Sequence, residues 1–275
     1  MINNHLLGIA PLSALATPPD EFIYLAKEIG FDFVGLRVVP VTATEPQFDL
    51  SVGSPLHKRV LAALADTGLE VKDAEFILID GSDQRDLWRT AMERAASLGA
   101  ATLTVAVGDE DRARVEDTVA AMVEDGRSFG VLPAIEAISY QAVHSIPDAV
   151  GLAEKSGAYF LPDTLHIHRF GGTPAELADA TATGIVPMLQ LCDALALRPE
   201  GRDGLVWESR SKRMIPGTGA ADLEGLLGAI PKDLPISVET PDDLFVDKHG
   251  AREWLRRLFE ASARLVALTE KIPAR

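Results

Sequence analysis

Short runs of β-branched and aliphatic residues alternate with longer segments of helical periodicity along the chain. Eight such runs predict strands, at residues 6–10, 33–39, 70–77, 102–107, 132–138, 159–165, 186–192 and 235–240. Several of the segments between them open with Pro, Ser or Asp and close with Gly, which is typical of capped helices. Alternation of this kind indicates βαβ units and a parallel sheet.

Eight rounds favour a closed barrel, because an open doubly wound sheet usually stops at about five or six strands. The length of 275 residues also matches the roughly 250 residues typical of a (β/α)8 barrel. No glycine-rich nucleotide-binding fingerprint follows any predicted strand. We therefore predict an α/β protein with a single (β/α)8 TIM barrel domain over residues 1–275. The segment 196–219 has no clear period, and we expect a functional loop over the barrel mouth there.

The amino-acid composition indicates which kinds of binding partner and which cellular compartment to expect. The chain carries 26 basic and 41 acidic residues, a net charge of −15, which disfavours a nucleic-acid partner. Its single cysteine, Cys192, cannot form an intramolecular disulfide, and the first residues do not resemble a secretion signal, so we expect a cytoplasmic protein. No apolar run approaches the roughly 20 residues of a membrane span. A homodimer is an open option.

Four predicted strands end in polar residues that hydrophobic burial does not explain: Glu136, Asp163, Gln190 and Glu239. Reacting groups in a barrel come from the C-terminal ends of its strands. Buried carboxylates need a counter-charge, and a cation is the simplest one. Oxygen ligands of this kind favour Mn²⁺ or Mg²⁺ over Co²⁺ or Zn²⁺. For each carboxylate alone, a helix N-cap or a salt bridge is the alternative, and Gln190 alone fits a satisfied core amide.

Taken together, these residues resemble a known family. The motifs are Glu136, D-T-L-H at 163–166, Q-L-C-D at 190–193, P-G-x-G at 216–219 and S-V-E at 237–239. They resemble the xylose isomerase-like TIM barrel superfamily, which includes sugar phosphate isomerases, ketose 3-epimerases, inosose dehydratases and dehydroshikimate dehydratases. The resemblance implies one divalent metal ion, with ligands Glu136, Asp163, Gln190 and Glu239.

The chain departs from the family pattern at one ligand. Many members carry histidine where this chain has Gln190. The DNA-repair members also need further histidines, which the third, fourth and seventh predicted strands lack here. The resemblance therefore favours an all-oxygen metal site over a multinuclear zinc site.

The resemblance also implies an activity on a small hydroxy-ketone. Glu136 and Glu239 would move a proton α to a carbonyl through a metal-stabilised enediolate, with His166 as an acid or an oxygen-binding donor. This chemistry is that of an isomerase or epimerase. If a β-hydroxyl leaves instead, the same residues support a hydro-lyase of the 3-dehydroshikimate or inosose type. A non-catalytic barrel that binds metal or sugar is a further alternative.

Residues around the predicted barrel mouth would determine which of these substrate classes the protein binds. We predict that Arg37, Glu75, Arg210 and Arg213 bind substrate. An arginine placed for a substrate carboxylate would favour an acid of the dehydroshikimate kind. For each arginine alone, a solvated loop charge is the alternative.

Overall fold

The predicted strands assemble into a parallel barrel. The computed structural model describes residues 1–2 and 4–269, and its strands within those ranges are β1 (Leu7–Ile9), β2 (Phe33–Arg37), β3 (Glu70–Ile79), β4 (Thr102–Val107), β5 (Leu132–Glu136), β6 (Tyr159–Leu161), β7 (Leu189–Leu191) and β8 (Ile236–Val238). Their order is β6-β5-β4-β3-β2-β1-β8-β7. A parallel bridge between Asp163 and Gln190 joins the two outer strands, and the Gln190 N–H donates to the Pro162 carbonyl at 2.9 Å. The barrel thus closes at two of the predicted metal ligands.

Helices surround these strands. In the described ranges they are α1 (Pro19–Ile29), α2 (Pro55–Thr67), α3 (Arg85–Ser97), α4 (Arg112–Phe129), α5 (Ile146–Ser156), α6 (Thr164–Phe170), α7 (Pro174–Ala182), α8 (Gly201–Ser211), α9 (Leu223–Gly228), α10 (Asp243–His249) and α11 (Ala251–Thr269), with a 3-10 helix at Pro11–Ala14. The cap signals hold: the Ser54 side chain caps α2, and Gly68 ends it with φ +68°. Within residues 1–2 and 4–269, no helix is both long enough and apolar enough to cross a bilayer.

Strand periodicity decides which residues face the barrel interior. Side chains two positions apart lie on the same face of a strand. The main hydrophobic core lies between the sheet and the helices. A separate apolar cluster consists of Phe33, Ala134, Leu161 and Met188. Two positions beyond the last three stand Glu136, Asp163 and Gln190. The predicted ligands therefore continue the inward face towards the C-terminal ends of the strands.

Most strands are shorter than the apolar runs that predicted them, and two differences from the sequence-based expectation bear on the site. Strand β6 ends at Leu161, and α6 begins at Thr164, so His166 lies on a helix and not on the strand. The segment 196–219, expected to be a loop, contains α8 (Gly201–Ser211). Glycines at both 201 and 204 hid this helix, because glycine is a poor helix former.

Candidate active site

Three of the predicted metal ligands meet at the C-terminal ends of their strands. Glu136 is the last residue of β5, Asp163 lies two positions after the end of β6, and Glu239 directly follows β8. One carboxylate oxygen from each lies within 4.8 Å of the others. All three side chains are buried. The structure thus gathers carboxylates that are separated by 27 or more positions in sequence.

Gln190 supplies the fourth side chain of this group. Its Nε2 donates to Glu239 Oε1 at 3.1 Å. Its Oε1 is buried and has no hydrogen-bond partner among the described residues. An unpaired buried carbonyl is costly, so this oxygen needs a ligand or donor that protein atoms do not supply.

Arg213 also enters the cluster, deeper than the sequence suggested. It follows α8, and only 2% of its side chain is exposed. Its Nη1 donates to Asp163 Oδ2 at 2.6 Å, and its Nη2 lies 2.8 Å from Glu239 Oε2. We expected a mouth-loop arginine, but the guanidinium instead bridges two predicted metal ligands.

Asp163 combines three roles that its sequence position left open. Its Oδ1 accepts the backbone N–H groups of Leu165 and His166, which makes it the N-cap of α6. Its Oδ2 pairs with Arg213. Its carboxylate nevertheless remains within reach of Glu136 and Glu239. The sequence offered the helix cap and the salt bridge as alternatives to a metal-ligand role. In the structure both contacts hold the Asp163 carboxylate in a position where it can also bind a metal ion.

The electrostatics of the cluster show a shortage of positive charge. Burial, together with repulsion from Glu239 and Asp163, raises the pKa of Glu136 well above its usual range. Burial also raises the pKa of Glu239, although Arg213 opposes the shift. For Asp163, burial is outweighed by Arg213 and hydrogen bonds, and its pKa falls. Together with the unpaired Gln190 oxygen, these oxygen donors fit a divalent cation.

His166 lies beside the carboxylates. Its Nε2 is 3.6 Å from Glu136 Oε1, and its Nδ1 is 3.2 Å from Ser139 Oγ. Burial lowers the pKa of His166 to about 4, even though Asp163 acts in the opposite direction. The ring is therefore neutral near pH 7, which suits a hydrogen-bonding role better than that of a charged acid.

A cavity of about 260 Å³ lies next to this cluster. It brings together all four residues predicted to bind substrate and two of the predicted metal ligands: Arg37, Glu75, Arg210, Arg213, Glu136 and Glu239. Arg37 Nη2 pairs with Glu75 Oε2 at 3.2 Å. The other oxygen of Glu75 is buried without a hydrogen-bond partner among the described residues. Glu75 therefore offers an unpaired acceptor to a molecule in the cavity.

Sequence reasoning missed several residues around this cavity. Glu45, in the segment between β2 and α2, pairs with both Arg37 and Arg210. The Tyr140 hydroxyl donates to Ser209 Oγ at 3.1 Å, and the Tyr140 ring lies edge-on to His166. These residues lie outside the strands and follow no period, so no sequence signal identified them.

Asp193 was also missed, although it belongs to the Q-L-C-D motif that was identified in the sequence. Its carboxylate accepts the backbone N–H groups of Ala194, Gly217, Gly219 and Ala221. A Cβ at Gly219 would lie 2.3 Å from the Ala194 carbonyl oxygen and 2.5 Å from Asp193 Oδ1. The Q-L-C-D and P-G-x-G motifs are thus two halves of one structural unit, in which Asp193 holds the turn that follows Arg213.

With this geometry established, comparison with known proteins identifies the family. The family model described as xylose isomerase-like TIM barrel matches residues 23–261. The chain belongs to this family. Among curated proteins, none matches the sequence.

Several solved structures share the fold over nearly the whole chain. The IolI protein, crystallised with a bound zinc atom, superposes with a TM-score of 0.76 at 16% identity, covering 96% of this chain and 98% of that one. The 3-keto-D-glucoside 4-epimerase YcjR from E. coli gives 0.67 at 15% identity, covering 93% and 99%. The probable 3-DHS dehydratase AsbF from Bacillus anthracis gives 0.72 at 14% identity, covering 92% and 97%. At these identities the likeness establishes the fold.

Proposed function

We propose that this barrel is a divalent-metal-dependent isomerase or epimerase of a sugar or sugar-like hydroxy-ketone. The observation that carries the proposal is the group of three buried carboxylates, with the unpaired Gln190 oxygen, beside a cavity of about 260 Å³. Glu136, Asp163, Gln190 and Glu239 would hold the ion. Their all-oxygen donor set favours Mn²⁺ or Mg²⁺. The ion, when bound, would polarise a carbonyl and a neighbouring hydroxyl of the substrate.

The residues of the chain supply proton transfer and orientation. Glu136 and Glu239 both line the cavity and come from β5 and from the end of β8, strands separated by β6 and β7. One carboxylate can remove the proton α to the carbonyl, while the other, in its protonated form, can deliver a proton to the opposite side. The unpaired oxygen of Glu75 accepts a substrate hydroxyl, and neutral His166 donates or accepts a hydrogen bond beside Glu136.

The arginines around the cavity favour a neutral substrate over an acid. Arg37 and Arg210 both pair with Glu45, and Arg213 pairs with Asp163 and Glu239. Among the cavity arginines that the structure describes, Arg202 alone has no carboxylate partner, and it stacks over the Tyr140 ring. The arginines are thus largely neutralised within the protein. YcjR, a 3-keto-D-glucoside 4-epimerase by name, is consistent with a sugar-like substrate.

Metal content and proton exchange test this function together. Protein purified without added metal would be analysed for bound metal and then incubated in D₂O with ketoses, inososes and dehydroshikimate, each with Mn²⁺, Mg²⁺ or Co²⁺. We expect deuterium at the carbon α to the carbonyl of one sugar-like substrate, detected by NMR. Loss of water from dehydroshikimate or an inosose would instead identify a hydro-lyase. Binding without exchange or dehydration would identify a non-catalytic barrel.

Ligand variants test the residue assignments. Glu239→Gln and Asp163→Asn should lose both metal retention and exchange while keeping the far-UV circular dichroism of the barrel. Glu260→Gln, at an exposed position of α11, is the matched control and should retain both. Gln190→His should still bind metal, with preference shifted towards Zn²⁺ or Co²⁺. Full exchange by a metal-free Glu239→Gln protein would refute the proposed site.

A further inference from the structure

Arg213 is fixed within the carboxylate cluster. Its Nε donates to the Ser209 carbonyl at 2.7 Å, and its Nη1 donates to Asp163 Oδ2 and to the Glu239 carbonyl at 2.6 and 3.1 Å. Its Nη2 reaches Glu239 Oε2 at 2.8 Å. The Arg213 backbone N–H is itself bonded to the Pro241 carbonyl. With every guanidinium nitrogen engaged and almost no exposed surface, the side chain has no alternative position in solvent.

Arg213 and a metal ion would depend on the same carboxylates. Asp163 and Glu239 each give one oxygen to the guanidinium, and both belong to the group whose oxygens lie within 4.8 Å of one another. When ionised, three carboxylates and one guanidinium leave two negative charges uncompensated. A divalent ion would cancel that remainder, but it would bind beside a fixed positive charge that repels it.

The ligand oxygens that Arg213 does not contact show where a divalent ion would bind. Gln190 Oε1 has no partner among the described residues, and Glu136 Oε1 lies 3.6 Å from Nε2 of the neutral His166 ring. Arg213 therefore satisfies the Asp163 and Glu239 side of the cluster and leaves the Glu136 and Gln190 side open. A divalent ion held by all four side chains would therefore lie towards Glu136 and Gln190, beside the guanidinium.

We propose that Arg213 is a resident cation of this site, which holds the carboxylates together in the metal-free barrel and weakens the binding of the divalent ion. This inference rests on the proposed metal-dependent function. It lowers the affinity for the metal ion, because part of the charge compensation is already supplied by the chain. It also makes Arg213 a positioning residue for Asp163 and Glu239 instead of a contact for the substrate.

The test is metal affinity and metal-free stability of Arg213→Met, a variant of similar length without charge. Isothermal titration with Mn²⁺ should show binding about tenfold tighter or more than wild type, because the repulsion is gone. Without metal, the variant should have a lower Tm than wild type, and saturating Mn²⁺ should raise its Tm more than it raises that of wild type. Arg213→Lys, which keeps the charge, should bind Mn²⁺ close to the wild-type affinity. Arg256→Met is the control, since Arg256 pairs with Glu253 and Glu260 on α11 and does not line the cavity; it should bind Mn²⁺ with wild-type affinity.

The outcomes separate this inference from the function on which it rests. If wild type binds Mn²⁺ and Arg213→Met binds it equally or more weakly, the metal site stands and the resident-cation role is wrong. If neither protein binds Mn²⁺, both proposals fail. An Arg213→Met protein that folds only with Mn²⁺ supports the inference, because the ion then replaces the missing charge. One that stays unfolded with Mn²⁺ contradicts it.

Discussion

Replacing Arg169 with Met should destabilise the barrel strongly, because it leaves a buried carboxylate without its counter-charge. Arg169, on α6, donates from Nε to Glu208 Oε2 on α8 at 2.7 Å. The exposed fractions of the two side chains are 3% and 0%. Glu208 would keep one hydrogen bond, from the Leu195 backbone N–H at 2.9 Å. The pair matters for the site, since α6 begins beside Asp163 and α8 leads to Arg213.

The magnitude follows from the burial of the pair. Breaking a buried ion pair by removing one partner costs about 3–5 kcal/mol. In a domain of this size each kcal/mol lowers the Tm by roughly 2–3 °C, so we expect a loss of about 6–15 °C. The double variant Arg169→Met/Glu208→Gln removes both charges and keeps an oxygen for the Leu195 N–H. It should recover most of the loss, because replacing both partners of a buried pair is often close to neutral.

Urea unfolding and thermal scans of the single and double variants measure this coupling. Arg256→Met is the control: Arg256 is 47% exposed and pairs with Glu253 and Glu260 on α11, so its loss should cost no more than about 1 kcal/mol. A double variant as unstable as Arg169→Met alone would refute the reasoning, as would a single variant no less stable than the control. Either result would mean that the charge on Glu208 is not what makes the loss costly.

Two further substitutions test other parts of the structure. Asp193→Asn should lower the free energy of unfolding by about 2–4 kcal/mol in urea, because an amide NH₂ would face backbone N–H groups that the carboxylate accepts; an unchanged value would show that the turn does not depend on this acceptor. Hydrogen bonds from Arg85, with Trp88 and Arg89, lower the pKa of Asp125 from 3.8 to about 2, so its ionised form stabilises the fold above about pH 4 and this contribution is lost as the pH falls towards 2. The stability deficit of Asp125→Asn should therefore be constant from pH 7 to about 5 and shrink below pH 4, and a deficit independent of pH would contradict the assignment.

Much of the site could be predicted because it depends on strand periodicity. In a parallel barrel, every strand ends at the same mouth, and alternate residues face inward. Residue type and position along a strand are therefore enough to place Glu136, Gln190 and Glu239 near one another. The same reasoning placed Arg37 and Glu75 at the mouth, on neighbouring strands where they form an ion pair.

The tertiary structure decided what lies outside the strands. Arg213 and Asp163 are 50 positions apart, and Glu45 and Arg210 are 165 apart. No local pattern brings such residues together, because their contacts depend on how the connecting segments cross the mouth. The glycines of α8 concealed the helix that directs Arg213 inward, and Asp163 became a helix cap because β6 ends earlier than its apolar run suggested.

The sequence by itself thus determined the barrel, its family and the strand residues that meet at its mouth, since local periodicity and topology suffice for these. Only the tertiary structure showed how their charges are balanced. A guanidinium from a distant segment takes part of the role that the sequence assigned to a metal ion. Charge balance in a buried site depends on every group that packs against it, and packing is a property of the folded chain.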